Sequence, residues 1–120
     1  LGFVMSKKNL ERAALDYGES IEIKHYKNFD TFLGESQALS YVAASTKGSK
    51  ILSESKINLG DYLLFGSETE GLPKDCLENK KCKEVIRIPM ADKSRSLNLS
   101  NSVAIILYYA LNQNDFIGLT

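Results

Sequence analysis

The feature that most constrains the fold is residues 62–73, YLLFGSETEGLP, in which an apolar run leads directly into a loop with two glycines. A short apolar run that ends at turn residues is typical of a strand buried in a parallel sheet. Gly66 and Gly71 permit sharp turns and close backbone approaches, and Pro73 suits the first position of a helix. The stretch therefore predicts a strand, a glycine loop and a helix, with a ligand site where the strand ends.

A second stretch, residues 84–101, has the same arrangement. A strand predicted for residues 84–89 leads through a polar loop into a helix capped by Asn98 or Ser100. We expect the two loops to follow neighbouring strands and to enclose one small ligand. Backbone N–H and C=O groups would contribute much of the recognition, because the glycines expose them.

Strand and helix alternate along the whole chain, which predicts a single α/β domain over residues 1–120 with a mainly parallel sheet and flanking helices. Residues 62–65 are expected to form the central strand, and residues 50–57 are ambiguous because polar residues dominate there. The remaining predicted elements are helices at 7–17, after a cap at Asn28 or Asp30, and at 73–79, and strands at 20–24 and 38–45.

The final helix, predicted to run to Asn114, is apolar on most of its sides. Val103, Ile106 and Ala110 belong to one stripe, but Ile105 and Tyr108 extend the apolar surface around the helix. Such a helix is either buried in a core or shared with a partner. In a chain of 120 residues we favour a partner surface.

The charge balance offers no electrostatic argument for nucleic acid, because 15 basic residues match 15 acidic ones. A local cluster of Lys80, Lys81, Lys83 and Arg87 is more typical of a solvated face. Two cysteines, Cys76 and Cys82, suit reduced thiols and do not form a zinc-site spacing, so no metal is expected. No apolar run is long enough for a membrane span, and we expect a cytoplasmic protein.

Two motifs resemble those of a known enzyme superfamily. Residues 65–73 resemble the second motif of the SPOUT methyltransferases, and residues 87–90 with 94–104 resemble the third. Residues 10–17 and 46–48 are similar to the TrmL/YibK branch, which comprises tRNA 2′-O-methyltransferases of the wobble pyrimidine. The resemblance covers nearly the whole chain.

The resemblance implies a C-terminal trefoil knot that holds S-adenosylmethionine, a homodimer built partly on the last helix, and tRNA as the substrate. The implied enzyme moves a methyl group from a sulfonium to the ribose 2′-OH of a cytidine or uridine. Two alternatives stay open: a 2′-O-methyltransferase of ribosomal RNA, or a catalytically silent module that binds the cofactor or a partner.

Site residues also follow from the resemblance. Arg95 is the candidate catalytic residue, and Tyr108 resembles a tyrosine at the dimer seam. Leu97 and Asn98 would sit at the knot crossing, and Ala44 is smaller than the usual residue there. The implied cofactor-binding residues are Ala44, Gly66, Glu68, Gly71, Ile88, Ser96, Leu97 and Asn98.

Two departures from the family pattern affect the expected chemistry. Glu70 stands where an arginine is common in this branch. The sequence also begins where relatives have already formed a first strand and helix, and that unit carries the arginine assigned to activating the ribose hydroxyl. We therefore expect the cofactor half of the site, with the catalytic base outside this sequence.

Overall fold

Four parallel strands form the sheet that organises the structure. The computed structural model describes residues 26–35, 40–58, 61–66, 71–91 and 99–116, and the elements predicted at 7–17 and 20–24 lie outside them. The strands are β1 (Tyr41–Ala44), β2 (Lys50–Ile51), β3 (Tyr62–Phe65) and β4 (Cys82–Arg87). The helices are α1 (Phe29–Glu35), α2 (Lys74–Glu78) and α3 (Leu99–Gln113), with a short 3-10 helix at Leu52–Glu54.

The strand order is β2-β4-β1-β3, and every pairing is parallel. The mainly parallel α/β architecture is therefore confirmed. The expectation that residues 62–65 form the central strand is wrong, because β3 lies at the edge of the described sheet. Nor are β3 and β4 neighbours, since β1 lies between them. A continuous apolar run indicates that a strand is buried on both faces. An edge strand covered by helices on both faces is buried in the same way, so the run does not identify a central strand.

Local sequence signals explain the element boundaries. The Asn28 side chain caps α1, with its Oδ1 accepting a hydrogen bond from the Thr31 N–H at 2.8 Å. Pro73 is the residue before α2 and not its first helical residue, with φ −65° and ψ 153°. β4 ends at Arg87, two residues before Pro89, which has no N–H to give to a strand ladder.

Side chains alternate between two cores on opposite faces of the sheet. Tyr41, Ala43 and Leu64 face α1 and α2, whereas Val42, Phe65 and Ile86 face α3. The first cluster, here called the aromatic core, is completed by Phe29, Phe32, Leu72 and Cys76. The second, here called the aliphatic core, is completed by Leu52, Ile57, Leu99, Val103, Ile106 and Ala110. One face of α3 is thus buried against the sheet.

The ambiguous segment at residues 50–57 contributes to both an edge strand and the aliphatic core. Lys50 Nζ forms an ion pair with Glu84 Oε1 at 3.0 Å, and the other carboxylate oxygen accepts the Lys56 N–H at 3.2 Å. Glu84 therefore joins β2 and the segment after the 3-10 helix to β4. The buried Leu52 and Ile57 are two apolar residues in a polar stretch, which explains why periodicity did not identify them.

The end of α3 is attached to this same segment by side-chain amides. Gln113 Nε2 donates to the Ser55 carbonyl at 2.7 Å, and Gln113 Oε1 accepts the Ile57 N–H at 2.8 Å. Asn114 Nδ2 donates to the Ile57 carbonyl at 2.9 Å. These three bonds satisfy backbone groups that no strand partner reaches, and they hold α3 over the aliphatic core. None of the described helices has the length and apolar character needed to cross a membrane.

A buried tyrosine and a buried cysteine meet in the aromatic core. The Tyr41 hydroxyl donates to the Cys76 carbonyl at 2.5 Å, and both side chains are fully buried. Burial raises the pKa of the Cys76 thiol from 9.0 to about 11, and burial raises the pKa of Tyr41 as well. Both groups are therefore protonated in the folded protein at neutral pH.

Stability is expected to decrease above pH 9. Below that pH the Cys76 thiol is protonated in both states, but between pH 9 and about 11 it ionises only in the unfolded chain. The Cys76 thiol should lower the free energy of unfolding by about 2 kcal/mol over this interval, and Tyr41 and Cys82, whose pKa values burial also raises, add to the decrease. Urea unfolding between pH 7 and 10.5 measures it, with Cys76→Ala expected to show a shallower decrease. An equally steep decrease in that variant would contradict the assignment.

Candidate functional site

The carboxyl ends of three strands lie along one side of the sheet, here called its carboxyl edge. In the β1 register Ala44 is opposite Phe65 of β3 and Ile86 of β4. Gly66 directly follows β3, and Ile88 lies just beyond the end of β4. The structure thus brings Ala44, Gly66 and Ile88 to one edge, although their strands are ordered differently from our expectation. The central position of β1 places Ala44 between the other two.

The side chains of Ala44 and Ile88 lie on the same face of the sheet. Both are half-buried and pack against the aliphatic core, next to the residues that α3 covers. In open α/β folds, ligands bind beyond the carboxyl ends of the parallel strands. Apolar side chains beside backbone polar groups suit a nucleoside-sized ligand.

The two glycines of the 66–71 loop have different structural roles. A Cβ atom at Gly66 would lie 2.1 Å from the Gly71 carbonyl carbon and 2.3 Å from the Leu72 nitrogen, so only glycine permits this approach. Gly71 has φ +69° and open space around its Cβ position, so its requirement is conformational. The loop is therefore closed at its base by a backbone contact that begins at the end of β3.

A turn at residues 45–48 covers the end of β1 and packs on β4. The Gly48 N–H donates to the Ser45 carbonyl at 3.0 Å, and the Ser45 N–H donates to the Ile86 carbonyl at 2.9 Å. A Cβ at Gly48 would lie 2.6 Å from the Ile86 carbonyl carbon. Gly48 was not predicted as part of the site, although it lies in the turn that follows β1.

The predicted basic cluster is divided between opposite edges of the sheet. Lys80 and Lys81 precede β4, and the Lys81 carbonyl accepts the Tyr41 N–H at 2.9 Å, at the amino end of β1. Arg87 is at the other end of the six-residue strand, about 20 Å away. Lys83 Nζ is paired with Asp61 Oδ2 at 2.9 Å. These cations therefore do not form one patch.

The other predicted site residues divide into two groups. Tyr108 lies on α3 with 43% of its surface exposed, near exposed Ile105. Five residues stay predictions because they lie outside the described part of the chain: Glu68, Arg95, Ser96, Leu97 and Asn98. In the described segments no group of three or more His, Cys, Asp or Glu side chains could hold a metal ion.

Comparison with known proteins identifies the family of the chain. Residues 2–108 match the SpoU rRNA Methylase family. A tRNA (cytidine(34)-2′-O)-methyltransferase of Saccharophagus degradans is 45% identical over 98% of this chain and 77% of that protein. A structure solved to explain "the 2-OH methylation of C/U34 on tRNA" is 36% identical, with a TM-score of 0.69 and coverage of 97% of this chain and 75% of that one.

A more distant neighbour is an AdoMet-bound rRNA methyltransferase from Sinorhizobium meliloti. It is 27% identical with a TM-score of 0.59, and the match covers 71% of this chain and 33% of that one. The family resemblance of residues 65–73 and 87–104 is confirmed by these matches. The chain belongs to the SpoU rRNA methylase family.

Proposed function

We propose that this protein transfers a methyl group from S-adenosylmethionine to the ribose 2′-OH of the wobble pyrimidine, nucleotide 34, of tRNA. The observation that carries the proposal is the 45% identity, over 98% of the chain, to a protein named for this reaction on cytidine 34. The rRNA methyltransferase neighbour shares 27% identity and is three times as long as the matched part. Similarity therefore favours tRNA over ribosomal RNA.

The carboxyl edge of the sheet fits S-adenosylmethionine. Half-buried Ala44 and Ile88 offer apolar contacts, and Gly66 keeps side-chain atoms away from the backbone where the loop begins. When bound, S-adenosylmethionine supplies an electrophilic methyl group on a positively charged sulfur. We propose that Ala44, Gly66 and Ile88 bind it, together with Glu68, Gly71, Ser96, Leu97 and Asn98.

The ribose hydroxyl imposes the remaining requirements of the reaction. It is a weak nucleophile at neutral pH, so it needs in-line placement and removal of its proton. Arg95 is our candidate for electrostatic help, because a nearby cation favours the alkoxide form. The protein residues thus bind and orient the two reactants, and no metal is needed.

We further propose that residues 1–120 form one SPOUT domain whose C-terminal half is knotted, acting in the cytoplasm, where tRNA is used. Membership in the SpoU family supports the knot. The described topology is compatible with it, because β4 lies beside β1 and not beside β3.

The exposed face of α3 is proposed as the homodimer surface. Ile105 is 41% exposed, Tyr108 43% and Phe116 38%, and the Tyr108 and Phe116 rings are 6.3 Å apart. Ile105 and Tyr108 share one face of α3, and Phe116, in the turn that follows the helix, extends an apolar surface that is unusual on a free protein. The family resemblance names a second copy of the chain as the occupant.

Ile105→Asp is expected to convert the dimer to a monomer, because a carboxylate would be desolvated at the centre of the apolar face. Light scattering at several protein concentrations measures the mass. The control is Lys27→Asp, an exposed residue next to α1, on the other side of the sheet. An unchanged dimer in Ile105→Asp would contradict the proposed surface.

Methyl transfer from radiolabelled S-adenosylmethionine tests the proposed function. We expect label in a tRNA transcript with a pyrimidine at position 34, and none when that nucleotide is 2′-deoxy. Transfer to ribosomal RNA alone would support the alternative of a ribosomal RNA methyltransferase and contradict the proposal. Cofactor binding without transfer to either RNA would support a silent module and contradict the proposal.

A further inference from the structure

Two cations at the carboxyl edge, like Lys80 and Lys81 at the amino edge, lack the ion pairs that three other lysines make with described carboxylates. Lys50 is paired with Glu84 at 3.0 Å, Lys83 with Asp61 at 2.9 Å and Lys74 with Glu78 at 4.0 Å. Lys47 and Arg87 have no described carboxylate within 4.0 Å. Among the described residues, this edge therefore presents two cations without a paired carboxylate, although the protein has no net charge.

Backbone packing holds these two residues close together. A Cβ at Gly48 would lie 2.9 Å from the Arg87 nitrogen, and Lys47 is the residue before Gly48. Because consecutive Cα atoms are about 3.8 Å apart, the Cα atoms of Lys47 and Arg87 lie within about 10 Å of each other. Their long side chains can therefore reach one anionic group or two adjacent ones.

The local hydrogen bonds fix this geometry and leave the charges available. The Lys47 N–H donates to Ser45 Oγ at 3.1 Å, which orders the turn. Arg87 is paired with Ile51 of β2 through the backbone. The carboxylate of Glu54, which comes from the adjoining 3-10 helix, accepts the Ile51 N–H at 3.1 Å. Neither Lys47 nor Arg87 has a side-chain nitrogen within 4.0 Å of this carboxylate.

The position of the pair relative to the proposed cofactor site suggests what it binds. Lys47 is three residues after Ala44, and Arg87 directly precedes Ile88. A 2′-OH that reacts in line with the cofactor must lie at this edge, and the RNA backbone on either side of it must pass nearby. Contacts between cations and phosphates supply most of the affinity in nucleic-acid binding.

We propose that Lys47 and Arg87 bind the phosphate backbone of tRNA beside the methylated nucleotide. The guanidinium of Arg87 suits bidentate contact with a phosphate, and the ammonium of Lys47 acts as a point charge. This inference rests on the proposed function, because it assumes that RNA is the methyl acceptor. The carboxylate of S-adenosylmethionine has the same anionic chemistry, so the test separates the two sources.

The test is the salt dependence of tRNA binding by the full chain carrying Lys47→Gln and Arg87→Gln. Loss of two phosphate contacts should weaken tRNA binding at least tenfold at low salt and reduce the slope of log K against log salt by about 1.5. S-adenosylmethionine affinity, measured by calorimetry, should change less than twofold. The matched control, Lys80→Gln with Lys81→Gln, removes the same charge from the opposite edge and should leave the slope unchanged.

Two results would overturn the inference: an unchanged slope in the Lys47 and Arg87 variant, with or without loss of cofactor affinity, or an equal decrease of the slope in the control. The single variant Lys47→Gln, at an exposed position, keeps the test valid if Arg87→Gln impairs folding, and its expected slope change is half as large. If the unsubstituted protein methylates tRNA but the slope is unchanged in the Lys47 and Arg87 variant, only this inference fails. If the parent methylates no tRNA, the proposed function fails first.

Discussion

Gly66→Val is expected to reduce S-adenosylmethionine affinity by about 100-fold or more. The Cβ alone would lie 2.1 Å from the Gly71 carbonyl carbon, and the clashing atoms are backbone, so no side chain can move away to relieve the contact. The base of the 66–71 loop must open, and the loop then cannot close on the ligand. Overpacking of this kind also costs about 1–3 kcal/mol of stability. Calorimetric titration of the cofactor measures the loss of affinity.

Two other glycines help to interpret this variant: Gly34 is a control outside the site, and Gly71 lies at the other end of the same loop. Gly34 lies in α1 with nothing within 4 Å of its Cβ position, so Gly34→Ala should keep full affinity and gain up to about 1 kcal/mol of stability. Gly71→Ala should cost about 1–2 kcal/mol because of the positive φ, without a clash. A folded Gly66→Val protein with unchanged cofactor affinity would remove Gly66 from the site.

Gln113→Ala is expected to lower the free energy of unfolding by about 1–2 kcal/mol, since the Ser55 carbonyl and the Ile57 N–H, both part-buried, lose their partner. Both groups lie in the segment that α3 holds against the sheet. The aliphatic core contacts Ala44 and Ile88. Loosening α3 should therefore also weaken S-adenosylmethionine binding several-fold. Urea unfolding and cofactor titration measure the two effects.

The control for Gln113→Ala is Lys74→Ala, another polar-to-alanine change in a helix. The Lys74–Glu78 pair is 4.0 Å long and largely exposed, so its loss should cost less than about 0.5 kcal/mol. Gln113→Glu keeps the acceptor for Ile57 and loses the donor to Ser55, so it should fall between the two. Equal stability of Gln113→Ala and Lys74→Ala would show that the amide does not hold α3.

Much of the fold is readable from local patterns, because each pattern reports burial or turn chemistry. The run at residues 62–65 is β3 as predicted, since continuous apolar residues between turn signals leave few alternatives. The strand order, in contrast, cannot be predicted from local sequence patterns. It depends on which strands pair across distant segments, and the β3 sequence contains no information about β1 as its neighbour.

The site could be predicted in part for the same reason. Gly66 stands out because a glycine follows a buried strand, and its contact with Gly71 agrees with that interpretation. Gly48 was missed, because its role is to pack on Ile86 of a strand almost forty residues later. The pairing of Lys47 with Arg87 arises from that packing. Proximity in sequence instead grouped Arg87 with Lys80, Lys81 and Lys83, although the length of β4 separates Arg87 from Lys80 and Lys81.

The most direct test of the central claim, that S-adenosylmethionine binds at the carboxyl edge of the sheet, is titration of the ¹⁵N-labelled protein followed by amide chemical shifts. We predict saturable shifts for the amides of Ala44, Gly66 and Ile88, with Lys80 and Lys81 at the amino edge unaffected. Shifts confined to the amino edge, or saturable binding with no change at Ala44, Gly66 and Ile88, would contradict the claim.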